Sequence, residues 1–253
     1  MTGWIANPLP IALSGQLLPT PCLQSTHTVS LSQNSVHVWF TSLQPEKTQI
    51  DFFTQQLDRT ELGRMARFAF QPLRDRYACA HGLLRLLLCS YLGCSPSEVL
   101  FHHGSHGKPL LIDAQGLTFS LSHSGDGVAI AVGRDVELGI DIELIKPIEE
   151  RDQLVERFFS AQEAACYQSL PYSLREDAFF KLWTRKEAFV KALGLGLSYP
   201  LESFSVGIDS PVTLKAACAN PWTLRHLAPG LGHVGAIAVS SDNFALSGGY
   251  LTL

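Results

Sequence analysis

Hydrophobic and polar positions alternate along this 253-residue chain with two different periods, and the switches between them mark its elements. In SVHVWFTSL, Val36, Val38 and Phe40 alternate with polar neighbours, the period-two pattern of a half-buried strand. From about Asp75 to Leu92 the period changes. Tyr77, Ala80, Leu84, Leu87, Leu88 and Tyr91 recur at helical spacing, and Gly93 supplies a stop. LTFSLSHS reads as the next strand, and GVAIAVG, an apolar run between glycines, as a buried one. GIDIEL alternates again. Short helices are expected over Arg151–Phe159 and from about Ala161, then a long one from about Arg175 to Leu193. FSVGI, VTLKAA and HVGAIAVS close the chain as strand candidates, while residues 1–32, rich in Pro, Ser, Thr and Gln, read as an extended decoration.

The pattern repeats. RDRYACAHGLLRLLLCSYLG and the stretch beginning at Arg175 both run from Arg to Leu-Gly over the same length, and AIAV occurs at Ala129–Val132 and again at Ala236–Val239. Helix and strand thus recur in the same order about 100 residues apart. This predicts an α+β fold of two similar halves, 1–135 and 136–253, with a ligand site in the cleft between them.

Composition narrows the class. With 46% hydrophobic residues the chain has ample material for a globular core, and no apolar run approaches the roughly 18 residues of a membrane span. The first residues lack a basic segment and are broken by Pro8 and Pro10, which makes a poor signal peptide. Six cysteines show no CxxC pair and no zinc spacing. Their apolar neighbours suggest buried thiols in a cytoplasmic protein. A net charge of −4 argues against nucleic acid as a partner. Locally the balance reverses: Arg59 to Arg85 holds six arginines against Glu61 and Asp75, either a polyanion-binding surface or a solvated helix face.

Four elements carry candidate chemistry. In Gly139-Ile140-Asp141-Ile142-Glu143, alternate side chains share a face, so Asp141 and Glu143 project together while Ile140 and Ile142 enter the core. Two carboxylates so close suit a hard cation such as Mg²⁺, or else an ordinary wet strand face. In FFKLWTRKEAFVKALGLGL, Glu187 and Lys191 sit four residues apart beside an apolar stripe, a spacing that also describes a solvated helix pair. Ser120-Leu121-Ser122-His123-Ser124 ends a strand with hydroxyls and an imidazole that could meet phosphate. Gly107-Lys108-Pro109 is a turn presenting one lysine, without the glycine spacing of a P-loop.

Taken in order, G-K-P, S-x-S-H-S, G-I-D-I-E and F-x-x-x-W-x-x-K-E-A-x-x-K followed by G-x-G-L resemble the Sfp-type 4′-phosphopantetheinyl transferases over about Arg64 to Ser205. The resemblance implies a pseudo-two-fold fold with coenzyme A between the halves. It implies Mg²⁺ at Asp141, Glu143 and Glu187, with Glu187 as general base and Lys191 on the phosphates. Ser122 and His123 would hold the nucleotide end, and Lys108, Arg64 and Arg76 would face the 3′-phosphate. The implied acceptor is a serine of an acyl or peptidyl carrier protein, and the implied state is the monomer of the large type. Ser120 departs from the family, which commonly has Asn there. The same carboxylates would also serve a nucleotide-pyrophosphate hydrolase, or a non-catalytic coenzyme A-binding module.

Overall fold

A computed structural model describes residues 29–209, 212–218, 221–230 and 232–251, so nearly all of the expected decoration at 1–32 lies outside the described residues. The first half runs β1 (Ser35–Ser42), α1 (Lys47–Thr54), α2 (Arg59–Met65), α3 (Gln71–Leu92), β2 (Phe101–His103), β3 (Pro109–Leu111), β4 (Leu117–Ser124) and β5 (Gly127–Arg134). The second repeats that order: β6 (Leu138–Leu144), α4 (Arg151–Phe158), α5 (Ala161–Ser169), α6 (Tyr172–Leu193), β7 (Ser205–Val206), β8 (Leu214–Lys215), β9 (Thr223–Gly230) and β10 (His233–Val239). A final strand, β11 (Ala245–Tyr250), follows.

Each half builds an antiparallel sheet in the same order. β5 lies between β1 and β4, with Trp39 opposite Ile130; β10 lies between β6 and β9, with Ile140 opposite Ile237. The sheets face one another through a shared core of Val36, Val38, Phe40, Ile140, Ile142 and Ile237. On the outer face of the first, α3 packs Leu83, Leu84, Leu87 and Leu88 against Trp39, Ile130 and Val132. On the outer face of the second, α6 packs Phe179 and Phe189 near Val234, Ala236 and Ala238. Four layers result, helix–sheet–sheet–helix, because the central strands β5 and β10 are apolar on both faces.

Both long helices span 22 residues and end on a left-handed glycine, Gly93 (φ 68°) and Gly194 (φ 70°), a conformation that costs a Cβ-free residue little. Both are pinned by a buried cation. The Arg85 guanidinium donates to Glu61 Oε2 (2.6 Å) and to the carbonyls of Pro96 (2.9 Å) and Val99 (2.8 Å) in the loop beyond its helix. Lys186 Nζ donates to Glu163 Oε2 (2.8 Å) and to the carbonyls of Leu201 and Phe204 (2.7 Å each). Glu61 and Glu163 are themselves the third helical residues of capping boxes opened by Asp58 and Ser160. Each helix is therefore tied to the short helix before it and the loop after it.

Where the halves meet, the symmetry breaks. β4 and β6 are joined by side chains: the hydroxyls of Ser120, Ser122 and Ser124 accept the amide protons of Ile140 (3.1 Å), Ile142 (3.3 Å) and Leu144 (3.1 Å). At the other edge β11 returns to the first sheet, parallel to β1, and its Tyr250 hydroxyl donates to Pro229 O on β9 (2.7 Å).

Three sequence expectations change. The long helices begin at Gln71 and Tyr172, a turn earlier than their apolar stripes, and FSVGI and VTLKAA shrink to the two-residue strands β7 and β8. Burial of the thiols holds for Cys79 and Cys89, whereas Cys166 is exposed on a helix surface.

Candidate functional site

The seam of serines fixes the carboxylates. Ser122 Oγ accepts from the Ile142 amide and from Lys191 Nζ (2.9 Å) and donates to Asp141 Oδ1 (2.9 Å), which uses the one donor and both lone pairs a hydroxyl has. Ser124 Oγ donates to Glu143 Oε2 (2.5 Å) while accepting from Leu144. Asp141 and Glu143 are thus aimed by hydroxyls whose own positions are set by the β6 backbone.

The remaining groups arrive on α6, and Gly139 lets them approach. A Cβ there would lie 2.2 Å from Ala188 O and 2.3 Å from Ala192 N, so only glycine allows the helix this close to β6. Lys191 Nζ then reaches Asp141 Oδ1 at 2.7 Å. Glu187, one turn earlier, brings its carboxyl to the same group.

The electrostatics are unbalanced. Burial holds the Asp141 carboxyl above the usual range, against the pull of Lys191 and Ser122. Burial raises Glu143 as well, with the Asp141 charge adding and Ser124 opposing. Glu187 is raised by burial and then by Asp141 and Glu143. Lys191 is the ammonium common to all three carboxyls. Asp141 Oδ2 and Glu187 Oε1 are moreover buried without any hydrogen-bond partner. Buried oxygens of this kind are costly unless a cation or donor satisfies them.

Beside the carboxylates opens a cavity of about 350 Å³, lined among others by Arg64, Tyr77, His81, Lys108, His123 and Lys191. Its basic lining suits an anion. His123 is exposed in it, its pKa lowered first by the desolvating walls and then by the charges of His81, Lys191 and Arg76. Lys108 reaches the cavity from the Gly107 turn, but its ammonium donates to Leu138 O (3.1 Å) and Ala192 O (2.9 Å). Burial lowers its pKa.

Asp141, Glu143, Glu187, Lys191 and Ser122 therefore come together at one end, and Arg64, Lys108 and His123 line the adjoining cavity. Arg76 stands apart from the lining and donates directly to Asp126 Oδ1 at 3.0 Å, both side chains about two-fifths exposed. Tyr77 and His81 were not legible as site residues, because in sequence they belong to the apolar stripe and polar scatter of α3. Ser124 lacked any signal apart from its place in S-x-S-H-S. Among the described residues no group of three His, Cys, Asp or Glu side chains stands at metal-ligating spacing. The donor set is nevertheless all oxygen, with two oxygens orphaned, and that chemistry fits a hard cation.

Comparison with known proteins gives a consistent set of likenesses. Residues 137–233 match the family model described as the 4′-phosphopantetheinyl transferase superfamily, and residues 41–134 match the model for the N-terminal part of a 4′-phosphopantetheinyl transferase. Over 215 residues, 84% of this chain and 90% of the relative, the chain is 35% identical to 4′-phosphopantetheinyl transferase HetI of Nostoc sp.. It is 39% identical over 151 residues to the transferase psf-1 of Bacillus pumilus, covering 59% of this chain and 64% of that one. It is 34% identical to the transferase Sfp of Bacillus subtilis over 59% of this chain and 66% of that one.

Proposed function

The chain belongs to the 4′-phosphopantetheinyl transferase superfamily, and from that membership we propose that it moves 4′-phosphopantetheine from coenzyme A to a serine of an acyl or peptidyl carrier protein, releasing 3′,5′-ADP. The observation that carries this reading is the junction of two opposite chemistries: a basic cavity beside three carboxyls with two orphaned oxygens.

Asp141, Glu143 and Glu187 would hold Mg²⁺, which when bound neutralises the pyrophosphate and polarises its phosphorus. The chain's own groups do the rest. The cavity binds the nucleotide end through Arg64 and His123. Lys191, within reach of Ser122 and Asp141, stabilises charge on the pyrophosphate as its bridging P–O bond breaks. The carrier serine oxygen forms the new bond to the phosphorus that carries pantetheine. Its proton passes to a carboxylate, for which Glu187, with an unpartnered oxygen, is suited.

The test is intact-mass spectrometry of an apo carrier protein incubated with this protein, coenzyme A and Mg²⁺, with and without EDTA. A gain of one phosphopantetheinyl group that EDTA abolishes is expected. Cleavage of coenzyme A with the carrier unmodified would identify a hydrolase instead. No gain on fatty-acid, polyketide or peptidyl carriers, with coenzyme A still bound, would identify a non-catalytic module.

A further inference from the structure

The three seam serines of β4 are not held alike. Ser120 and Ser122 lie inside the strand, whereas Ser124 is its last residue, followed by the turn Gly125-Asp126, in which Gly125 is left-handed (φ 57°). Strand ends open most easily, since no further ladder holds the chain beyond them. Yet Ser124 makes the shortest contact of the seam. Its hydroxyl donates to Glu143 Oε2 at 2.5 Å while accepting the Leu144 amide at 3.1 Å. A hydrogen bond to a carboxylate is short and directional, so it aims the carboxylate only as well as the hydroxyl is itself held.

The holding comes from the other half of the chain. His233 opens β10, opposite Leu144 of β6, and its Nε2 donates to the Ser124 carbonyl at 2.9 Å. A carbonyl only accepts, so Nε2 carries a proton here. Glycine makes room for the ring: a Cβ at Gly127 would lie 2.5 Å from Nε2 and 2.8 Å from Cδ2 of His233. A Cβ at Gly125 would likewise lie 2.9 Å from Leu144 Cδ2. Two glycines at the hairpin tip thus admit side chains of the second half. Asp126, the other turn residue, is tied instead to the first half, its carbonyl accepting the Leu43 amide (2.6 Å) and its carboxyl accepting from Arg76 (3.0 Å).

We propose that His233 is a positioning residue for the carboxyl group cluster, acting through Ser124 on Glu143. It fixes the Ser124 backbone at the strand end, and the fixed hydroxyl holds one oxygen of Glu143, so the carboxyl keeps one orientation beside Asp141 and Glu187. The inference rests on the function proposed above, in which these three carboxyls hold Mg²⁺. A ligating carboxylate binds better when a hydrogen bond orients it before the ion arrives, and loss of such an outer partner typically weakens binding by about 10- to 100-fold. His233 does not line the cavity, so its loss should spare coenzyme A.

The experiment is calorimetric titration of the full chain, first with coenzyme A into metal-free protein and then with Mg²⁺ into the protein saturated with coenzyme A. Wild type, Ser124→Ala, His233→Ala and the double variant are compared, with urea unfolding to confirm that each is folded. Ser124→Ala should weaken Mg²⁺ binding by about tenfold and His233→Ala by at least about threefold, with coenzyme A affinity unchanged. Because one residue acts through the other, the double variant should bind Mg²⁺ no more weakly than Ser124→Ala alone. If His233→Ala does not fold, His233→Leu keeps bulk beside Gly127 without a donor and puts the same question. Unchanged Mg²⁺ affinity in the His233 variant, losses that multiply in the double variant, or equal losses for Mg²⁺ and coenzyme A would overturn the proposal while leaving the transferase reading intact. A wild type that binds coenzyme A but no Mg²⁺ would overturn the proposal and the metal assignment beneath it. One that binds neither would overturn the transferase reading as well.

Discussion

Superposing the halves by register shows what duplication kept and what it changed. With Trp39 matched to Ile140 on the first strands, and Gly93 to Gly194 at the helix ends, Phe40 corresponds to Asp141, Ser42 to Glu143, Leu86 to Glu187 and Ser90 to Lys191. The buried cation corresponds too, Arg85 to Lys186, each on a capping-box glutamate and two loop carbonyls. So the devices that hold the helix are repeated, and the polar cluster is not. The first half instead supplies the basic cavity wall, where Tyr77 and His81 stand against Ala178 and Leu182 of the second. One scaffold used twice gives acid on one side of the cleft and base on the other, which a single copy could not do with one set of side chains.

The strongest way to break this comparison is to exchange the burdens of Glu187 and Leu86. Glu187→Gln should cost at least about a thousandfold in carrier modification, as loss of a preorganised charged group does. Unfolding stability should hold or rise, since a buried carboxyl raised by its neighbours is relieved. Leu86→Ala, 5% exposed in the first core, should do the reverse: about 2–5 kcal/mol of stability lost by urea unfolding, with the rate per folded molecule kept. An active Glu187→Gln would dissolve the division of labour.

How far the sequence discloses this division depends on the kind of signal. The 3.6-period stripes of α3 and α6 and the strands around AIAV, GIDIE and SLSHS are regular enough to read directly, and so is the two-half plan they imply. The short α1 and α2 are not, because their apolar faces are one or two residues wide. Nor are β9, which contains Pro229, and β11, which contains Gly248 and Gly249. β11 gains its place only from β1, a partner two hundred residues away. At the site, Asp141 and Glu143 share a face by strand periodicity. That Gly139 admits α6, and that Ser122 and Ser124 aim the carboxyls, depends on a cross-half contact that no local pattern encodes.

A smaller effect separates the two inner-edge strands. On β4, Ser122 lies opposite Ala129; at the matching place on β9, His226 lies opposite Ala236. Burial first, then Arg185 and Lys181, push the His226 imidazole down to about 4, and its Nδ1 is buried without a partner. The folded chain therefore keeps this ring neutral, whereas the unfolded chain takes up a proton below about 6.5. Stability is full above that value and is lost as pH falls toward 4, by about 1.4 kcal/mol per unit for this one group. Urea midpoints of wild type and His226→Gln between pH 7 and 5 should diverge, with the variant flatter. Parallel profiles would remove His226 as the acid-sensitive point of the second half.

The smallest expected difference lies within the seam itself, between Ser120 and Ser122. Both hydroxyls accept an amide proton of β6, and both residues are buried. Ser120→Ala removes that one bond and should cost about 1 kcal/mol, with carrier modification unchanged. Ser122→Ala removes the same bond and also the hydroxyl between Lys191 and Asp141. Its stability cost should be only slightly larger, because Lys191 keeps its direct 2.7 Å contact with Asp141. Its rate should fall by about tenfold, since the ammonium and the carboxyl are then held by each other alone. Ser120→Asn, the residue family relatives commonly carry, offers an amide oxygen to the same Ile140 amide and should recover most of what Ser120→Ala loses. Equal rates in Ser120→Ala and Ser122→Ala would mean that the seam serves only to join the halves, and that the lysine–aspartate pair positions itself without it.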